Sequence, residues 1–203
     1  MGKLYIVRHG ETQWNLEGRI QGHKDSPLTE LGIKQAKWLA EELREIKFDS
    51  IYSSSLMRAH RTAEIIRNNN ELNIIKLDEL KEINLGLWEG MLSSEIEELY
   101  FEEFKNFWYY PHLYKTNSGE SYYDFKDRVI PAIEKILADL GDKNVLIITH
   151  TVVLKIILIY LENQSIEKLW EPPYIHPTSL TIIEYNDDKL AVSIKGDISH
   201  NGK

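Results

Sequence analysis

Residues 145–161 leave little freedom in how this chain can fold. Val145, Leu146, Ile147 and Ile148 form an unbroken apolar run that ends at Thr149-His150. A strand apolar on both sides must be covered on both faces, as in a parallel sheet. The apolar stretch after His150 suits a helix packed on that sheet. His150 and Lys155 interrupt the segment, and ionisable side chains are costly at a bilayer centre. The reading is therefore a strand and a helix, not a membrane span.

The same alternation runs along the chain. Residues 4–7 predict a first strand, followed by a loop rich in Gly, Asn and Gln that reaches Gly22. Thr29 reads as an N-cap, with Ile33, Ala36, Leu39, Ala40 and Leu43 at helical spacing. A second strand is predicted over 48–53. Ser54 or Ser55 then caps a helix carrying Ala59, Ala63 and Ile66, which the asparagines at 68–70 end. Further strands are expected over 72–77, 179–185 and 190–195, the last two joined as a hairpin by the turn at 186–188, and a helix over 121–140. Strands alternating with helices imply a three-layer α/β/α sandwich with a mostly parallel sheet. The length fits one domain spanning 1–203.

Residues 91–118 differ in texture. Glu95, Glu97, Glu98, Glu102 and Glu103 mix with Phe101, Phe104, Phe107, Trp108, Tyr109 and Tyr110. This predicts a small helical insert acting as a lid outside the main layers. Its aromatics read first as lid core and second as a substrate wall. They also offer a candidate homodimer surface.

Lys and Arg number 24 against 32 Asp and Glu, a net charge of −8, so no broad basic face is available and nucleic acid is not an expected partner. An anionic ligand would need a few locally placed arginines. The chain has no cysteine, which removes disulfides and thiolate chemistry and suits a cytoplasmic protein. The apolar run at 4–7 is too short for a signal peptide. Ile6 stands where a myristoylation motif needs Ser or Thr.

Ligands of such sheets bind beyond the carboxyl ends of the strands. The first predicted strand is followed by Arg8-His9-Gly10, the second by Ser53 to Ser55 and Arg58, and the apolar strand by Thr149-His150. Two histidines and two arginines therefore converge on one sheet edge. Arginine offers a planar fork of donors that matches phosphate oxygens. A neutral imidazole can attack phosphorus, and nearby arginines favour the neutral form. The helix after His150 is expected to aim its first N–H groups at the same anion.

Arg8-His9-Gly10-Glu11-Thr12, with Trp14 and Asn15, resembles the RHGET-x-WN signature of the histidine phosphatase superfamily, the phosphoglycerate-mutase-like proteins. Arg19 to Gly22, Asp25 to Thr29, Ser53 to Ala59, Glu82 to Gly90 and Gly119-Glu120-Ser121 are similar to the further boxes of that family, in its order. The resemblance implies the phosphoglycerate-mutase-like fold and a phosphoryl-transfer enzyme. In it, His9 would accept the phosphoryl group, and Arg8, Arg58 and His150 would clamp its oxygens. Glu82 would protonate the leaving oxygen and then activate water. Asn15, Gln21 and Gly22 would line the phosphate pocket, with Thr12 nearby. No cofactor or metal is implied, and the sequence carries no P-loop or clustered metal-ligand spacing. Thr151 departs from the family's usual Gly and is expected to bring a hydroxyl near the phosphate. His23, His60, His112, His176 and His200 read as structural or exposed, His200 on a tail able to fold back towards the pocket.

A phosphohistidine can pass its phosphoryl group to water or return it to a bound acceptor. Cofactor-dependent mutases resemble longer chains with a larger insert. Here the insert offers only Lys105, His112 and Lys115 as cations between 91 and 118. The expected activity is therefore a metal-independent phosphatase acting on a small phosphorylated metabolite. A 2,3-bisphosphoglycerate-dependent mutase is the alternative, and a non-catalytic phosphate-binding module the second.

Overall fold

The computed structural model describes residues 2–67, 71–186 and 189–202. In chain order it contains β1 (Gly2–Arg8), α1 (Gln13–Glu17), α2 (Glu30–Glu42), β2 (Ser50–Ser54), α3 (Met57–Arg67), β3 (Ile74–Leu77), α4 (Ser93–Leu99), α5 (Phe101–Tyr109), α6 (Tyr122–Ala138), β4 (Asn144–Thr149), α7 (Thr151–Leu161), β5 (Leu180–Asn186) and β6 (Lys189–Asp197). The sheet order is β3-β2-β4-β1-β5-β6. β1, β2, β3 and β4 run parallel, while β5 is antiparallel to β1 and β6 to β5.

The alternation of side chains along the central strands builds two cores. Leu4 and Ile6 of β1 and Val145 and Ile147 of β4 face α6 and α7. Tyr5, Val7, Leu146 and Ile148 face the other way, against Leu39 of α2 and Ala59, Ala63 and Ile66 of α3. The result is the expected three-layer α/β/α sandwich. Each fully buried aliphatic side chain contributes roughly 1.5–3 kcal/mol. No helix among the described residues is long and apolar enough to cross a membrane.

Local signals set most boundaries. Thr29 caps α2 by accepting from Gly32 N, and Ser121 opens α6 with a capping box to Asp124. The cap of α3 differs from expectation. Ser54 and Ser55 do not provide it: Asp25, from a distant loop, accepts from Met57 N at 2.7 Å and Arg58 N at 3.3 Å. Its carboxylate must also hold Arg58, so it takes over the helix end. β2 and β3 start two residues later than their apolar patterns: Phe48 packs edge-on against Tyr5 ahead of β2, and ahead of β3 the carbonyl of Leu72 accepts from Arg67. The asparagines expected to end α3, at 68–70, and Asp187-Asp188 of the hairpin turn lie outside the described residues.

The insert holds α4, α5 and a short turn of helix at Pro111–Leu113. It is not a lid with a separate core. Phe107 and Tyr114 join Trp88, Tyr122, Leu4 and Ile6 in one continuous apolar cluster. The ring of Phe107 lies 5.7 Å from Trp88 and 5.3 Å from Tyr122, within the range of favourable aromatic pairs.

Candidate active site

The carboxyl ends of β1, β2 and β4 bring Arg8, His9, Ser54, Thr149 and His150 to one edge, as the strand order requires. His9 leaves β1 with its N–H bonded to Thr149 O at 2.9 Å. The next residue must be small: a Cβ on Gly10 would lie 2.6 Å from Gly32 O. His9 Nδ1 lies 2.8 Å from Gly10 O, so it carries the ring proton and donates it there. That leaves Nε2 as a lone pair, which accepts from Arg58 Nε at 3.2 Å. Burial, followed by the charges of Arg58 and Arg8, holds the His9 imidazole well below its ordinary pKa. The ring is therefore neutral and nucleophilic.

Arg58 is almost fully buried. It donates to Asp25 Oδ1, Lys24 O and Gly22 O, each at 2.8 Å. The turn that offers the Gly22 carbonyl has φ +54°, and a Cβ there would lie 2.3 Å from Glu89 Oε1, so only glycine fits. Arg8 donates to Ile175 O at 2.6 Å, while its buried Nε has no hydrogen-bond partner. A buried unpaired donor of this kind costs free energy unless an anion fills it. His150 is fully buried, and its ring meets that of His9 at a centroid distance of 5.2 Å. Its Nε2 lies 2.7 Å from Ser54 Oγ, and its Nδ1 has no partner. Burial, then the neighbouring Arg58 and His9, hold it well below the ordinary imidazole value too.

Glu82 faces these groups. Its carboxylate accepts from Ile83 N at 3.1 Å and from Val152 N at 3.2 and 3.3 Å. Burial raises its pKa above the usual carboxylate value against the opposing pull of Arg58, those N–H groups and Arg8. The second N–H of α7 therefore serves Glu82 and not the anion expected there. Arg128 clamps the loop that carries Glu82. It donates to Glu79 O at 2.8 Å, Lys81 O at 3.2 Å and Glu82 O at 3.2 Å, and pairs with Glu120 at 2.7 Å. Glu120 in turn accepts from Asn84 N at 2.8 Å. The Gly119-Glu120-Ser121 box thus tethers the acid loop to the start of α6. We expect Arg128→Met to lower kcat about 10- to 100-fold, since displacement of a reacting group by about 1 Å costs that much. Steady-state kinetics beside circular dichroism checks this.

A cavity of about 560 Å³ opens over His9, Arg8, Arg58 and Glu82. Asn15, Gln21, Gly22 and Thr151 line it. Thr12 does not. It is fully buried as the N-cap of α1, exchanging hydrogen bonds with Asn15. Its part is to hold Asn15 in the wall. His23, His60, His112 and His176 are absent from the cavity wall, and so is His150, which is fully buried and reaches the site through its ring contact with His9. His200 is buried behind β1, 3.3 Å from Thr178 Oγ1, while Thr178 N bonds to Arg8 O at 3.1 Å. Among the described residues no group of three or more acidic or histidine side chains is placed to hold a metal ion.

The outer wall was read from the sequence only for the insert, whose aromatics have a second reading as a substrate wall; Lys155 and the segment 170–176 were not read as part of it. Phe107 and Trp108 of the insert face Trp170, with the two indoles 4.5 Å apart, and Lys155, Pro172 and Tyr174 complete the rim. A signal for Lys155 exists: it stands one helical turn after Thr151 on α7. The segment 170–176 has a topological one. β5 runs antiparallel to β1, with Leu180 opposite Val7, so the chain entering β5 must cross the catalytic edge.

The chain is 39% identical over 170 residues to "Phosphoserine phosphatase 1" of Hydrogenobacter thermophilus, covering 84% of this chain and 81% of that one. It is 33% identical over 202 residues to "Metal-independent phosphoserine phosphatase" of Arabidopsis thaliana, covering 98% and 82%. The solved structure of Bacillus stearothermophilus YhfR superposes with a TM-score of 0.94 at 41% identity, covering 98% of both chains. "Phosphoglycerate mutase-like protein 4" of Arabidopsis thaliana and "Probable phosphoglycerate mutase GpmB" of Escherichia coli are also similar. The model of the histidine phosphatase superfamily (branch 1) matches residues 4–197, and the chain belongs to that superfamily.

Proposed function

We propose that the chain is a metal-independent phosphatase that hydrolyses small phosphomonoesters through a phosphohistidine at His9. The observation that carries this is the state of His9: its Nδ1 proton is anchored on Gly10 O, so Nε2 is unprotonated at a cavity walled by two arginines, and it can attack once the N–H of Arg58 that it accepts turns to a phosphoryl oxygen. In the first step Nε2 bonds to phosphorus while the ester P–O bond breaks. Protonated Glu82 gives its proton to the leaving oxygen, and an alcohol departs. In the second step water attacks phosphorus, Glu82 carboxylate takes a proton from it, and the P–N bond breaks to release inorganic phosphate. Arg8 and Arg58 neutralise the phosphoryl oxygens, whose charge is the main thing a phosphoryl-transfer site must stabilise, and the neutral His150 adds a hydrogen bond. Asn15, Gln21, Gly22 and Thr151 complete the oxygen cradle.

Transfer to water is favoured over mutase chemistry because Lys105, His112 and Lys115 of the insert are absent from the cavity wall. The wall that receives the leaving group is largely aromatic, which suits aryl and apolar esters. Relatives named for phosphoserine make that ester the first metabolite to try. The lack of cysteine suits a cytoplasmic enzyme. Sedimentation velocity checks the dimer expected from the insert, where Phe101 and Tyr109 are exposed.

The test is release of inorganic phosphate from para-nitrophenyl phosphate and from phosphoserine with EDTA present, beside 3-phosphoglycerate supplied with 2,3-bisphosphoglycerate. We expect turnover of the first two unaffected by chelator, and phosphate release rather than isomerisation with the third. Loss of activity on chelation, or net isomerisation, would overturn the proposal.

A further inference from the structure

The hydrogen bond between Ser54 and His150 goes beyond the roles assigned so far. Ser54 ends β2 and is fully buried. Its Oγ lies 2.7 Å from His150 Nε2 and accepts from Leu56 N at 3.3 Å. Its hydroxyl hydrogen therefore has one acceptor within reach among the described residues, the His150 Nε2 lone pair. If Nε2 carried the ring proton instead, two hydrogens would face each other along a 2.7 Å contact, or the serine hydrogen would be buried without an acceptor.

We propose that Ser54 is a positioning residue that fixes the tautomer of His150, keeping Nε2 as acceptor and the proton on Nδ1. The consequence concerns charge. His150 Nδ1 is buried without a partner, and its ring packs edge-on against His9. An Nδ1–H there donates to a phosphoryl oxygen, whereas a bare Nδ1 lone pair repels it. A neutral imidazole has a single proton, and burial with the charge of Arg58 holds His150 neutral, so where the proton sits decides between attraction and repulsion. Ser54 thus converts a buried histidine into a neutral donor. The phosphoryl group gains a hydrogen bond without a third positive charge beside Arg8 and Arg58.

This inference rests on the phosphatase reading only for its kinetic half. The structural half is tested on the unmodified protein, labelled with ¹⁵N at histidine, by long-range proton–nitrogen correlation spectra with the His150 signals assigned through His150→Gln. Nδ1 is expected to show the protonated pattern and Nε2 the acceptor pattern. The reverse overturns the proposal, whether or not any variant folds. In Ser54→Ala the His150 signals are expected to move towards the other tautomer. kcat should fall about 10- to 100-fold, as for loss of a partner that orients a functional imidazole, and Ser54→Thr should restore much of it. Retention of kcat within about twofold in Ser54→Ala, with circular dichroism unchanged, would also overturn it. If the unmodified protein releases no phosphate from any ester, the phosphatase reading fails, and the spectra still decide the Ser54–His150 pairing.

Discussion

Replacing His9 with alanine is expected to lower kcat/KM for every phosphomonoester by about 10⁴- to 10⁶-fold, the scale seen when a covalent nucleophile is removed. The cavity offers no substitute. The other imidazole, His150, is fixed by Ser54 through its Nε2 and is fully buried. Water would have to attack phosphorus without the histidine that forms the covalent intermediate, so one difficult step would replace two easier ones. Phosphate affinity should survive, because Arg58 loses only its 3.2 Å bond to His9 and keeps Asp25, Lys24 O and Gly22 O, while Arg8 keeps Ile175 O. The fold should survive as well, since the imidazole removed lies against two cations and its loss relieves no core packing between the layers. Rapid quenching with labelled substrate should trap an acid-labile, base-stable phosphoenzyme in the unmodified protein and none in His9→Ala. A variant that keeps a tenth of the activity would rule His9 out as the phosphoryl acceptor.

Glu82→Gln should give the second-largest loss, about 10²- to 10⁴-fold in kcat on alkyl esters such as phosphoserine, the usual contribution of a positioned acid. The amide oxygen can still accept from Val152 N and Ile83 N, so the side chain stays in place while its proton transfer is lost. Para-nitrophenyl phosphate separates the two steps, because nitrophenolate leaves without a proton. The variant should therefore be phosphorylated rapidly by the aryl ester and then stall, giving a burst of nitrophenol of one equivalent per enzyme. The pH profile carries the same signature. Burial raises the pKa of Glu82, and burial with Arg58 and Arg8 lowers that of His9. For alkyl esters kcat/KM falls as pH drops through the His9 value, where the nucleophile is protonated. It also falls as pH rises through the Glu82 value, where the acid is lost. Glu82→Gln should remove the alkaline limb and keep the acid one. Equal loss on aryl and alkyl esters, with no burst, would assign the acid elsewhere.

The inner half of this site could be read from the chain because its residues sit at strand ends. A short apolar strand followed by Arg8-His9, and another followed by Thr149-His150, place both histidines on one edge once the sheet is parallel. What could not be read depends on contacts between distant segments that leave no local pattern. Asp25 reads as part of a loop, yet it caps α3 and pairs with Arg58. Arg128 reads as one charge on an amphipathic helix, yet it gathers the carbonyls of the Glu82 loop. Thr12 was placed in the pocket by its neighbours in the motif, but a capping box turned it inward. The antiparallel direction of β5, which brings residues 170–176 across the edge, depends on pairing that the apolar pattern of a strand does not specify.

The clamp on the Glu82 loop separates two kinds of tolerance to change. Glu82 is tied to the start of α7 through Val152 N and to α6 through Arg128, and Arg58 to its loop through Asp25, so the proton and the phosphoryl group are handled by parts anchored in the layered core. Trp108 belongs to α5 and Trp170 to the segment entering β5; both pack on the edge of the apolar cluster and stay partly exposed at the rim, whereas Tyr174 is bonded to Arg8. A lineage can therefore exchange the two rim indoles for other large apolar side chains and move to a new ester in small steps, with the groups that handle the phosphoryl group and the proton left in place.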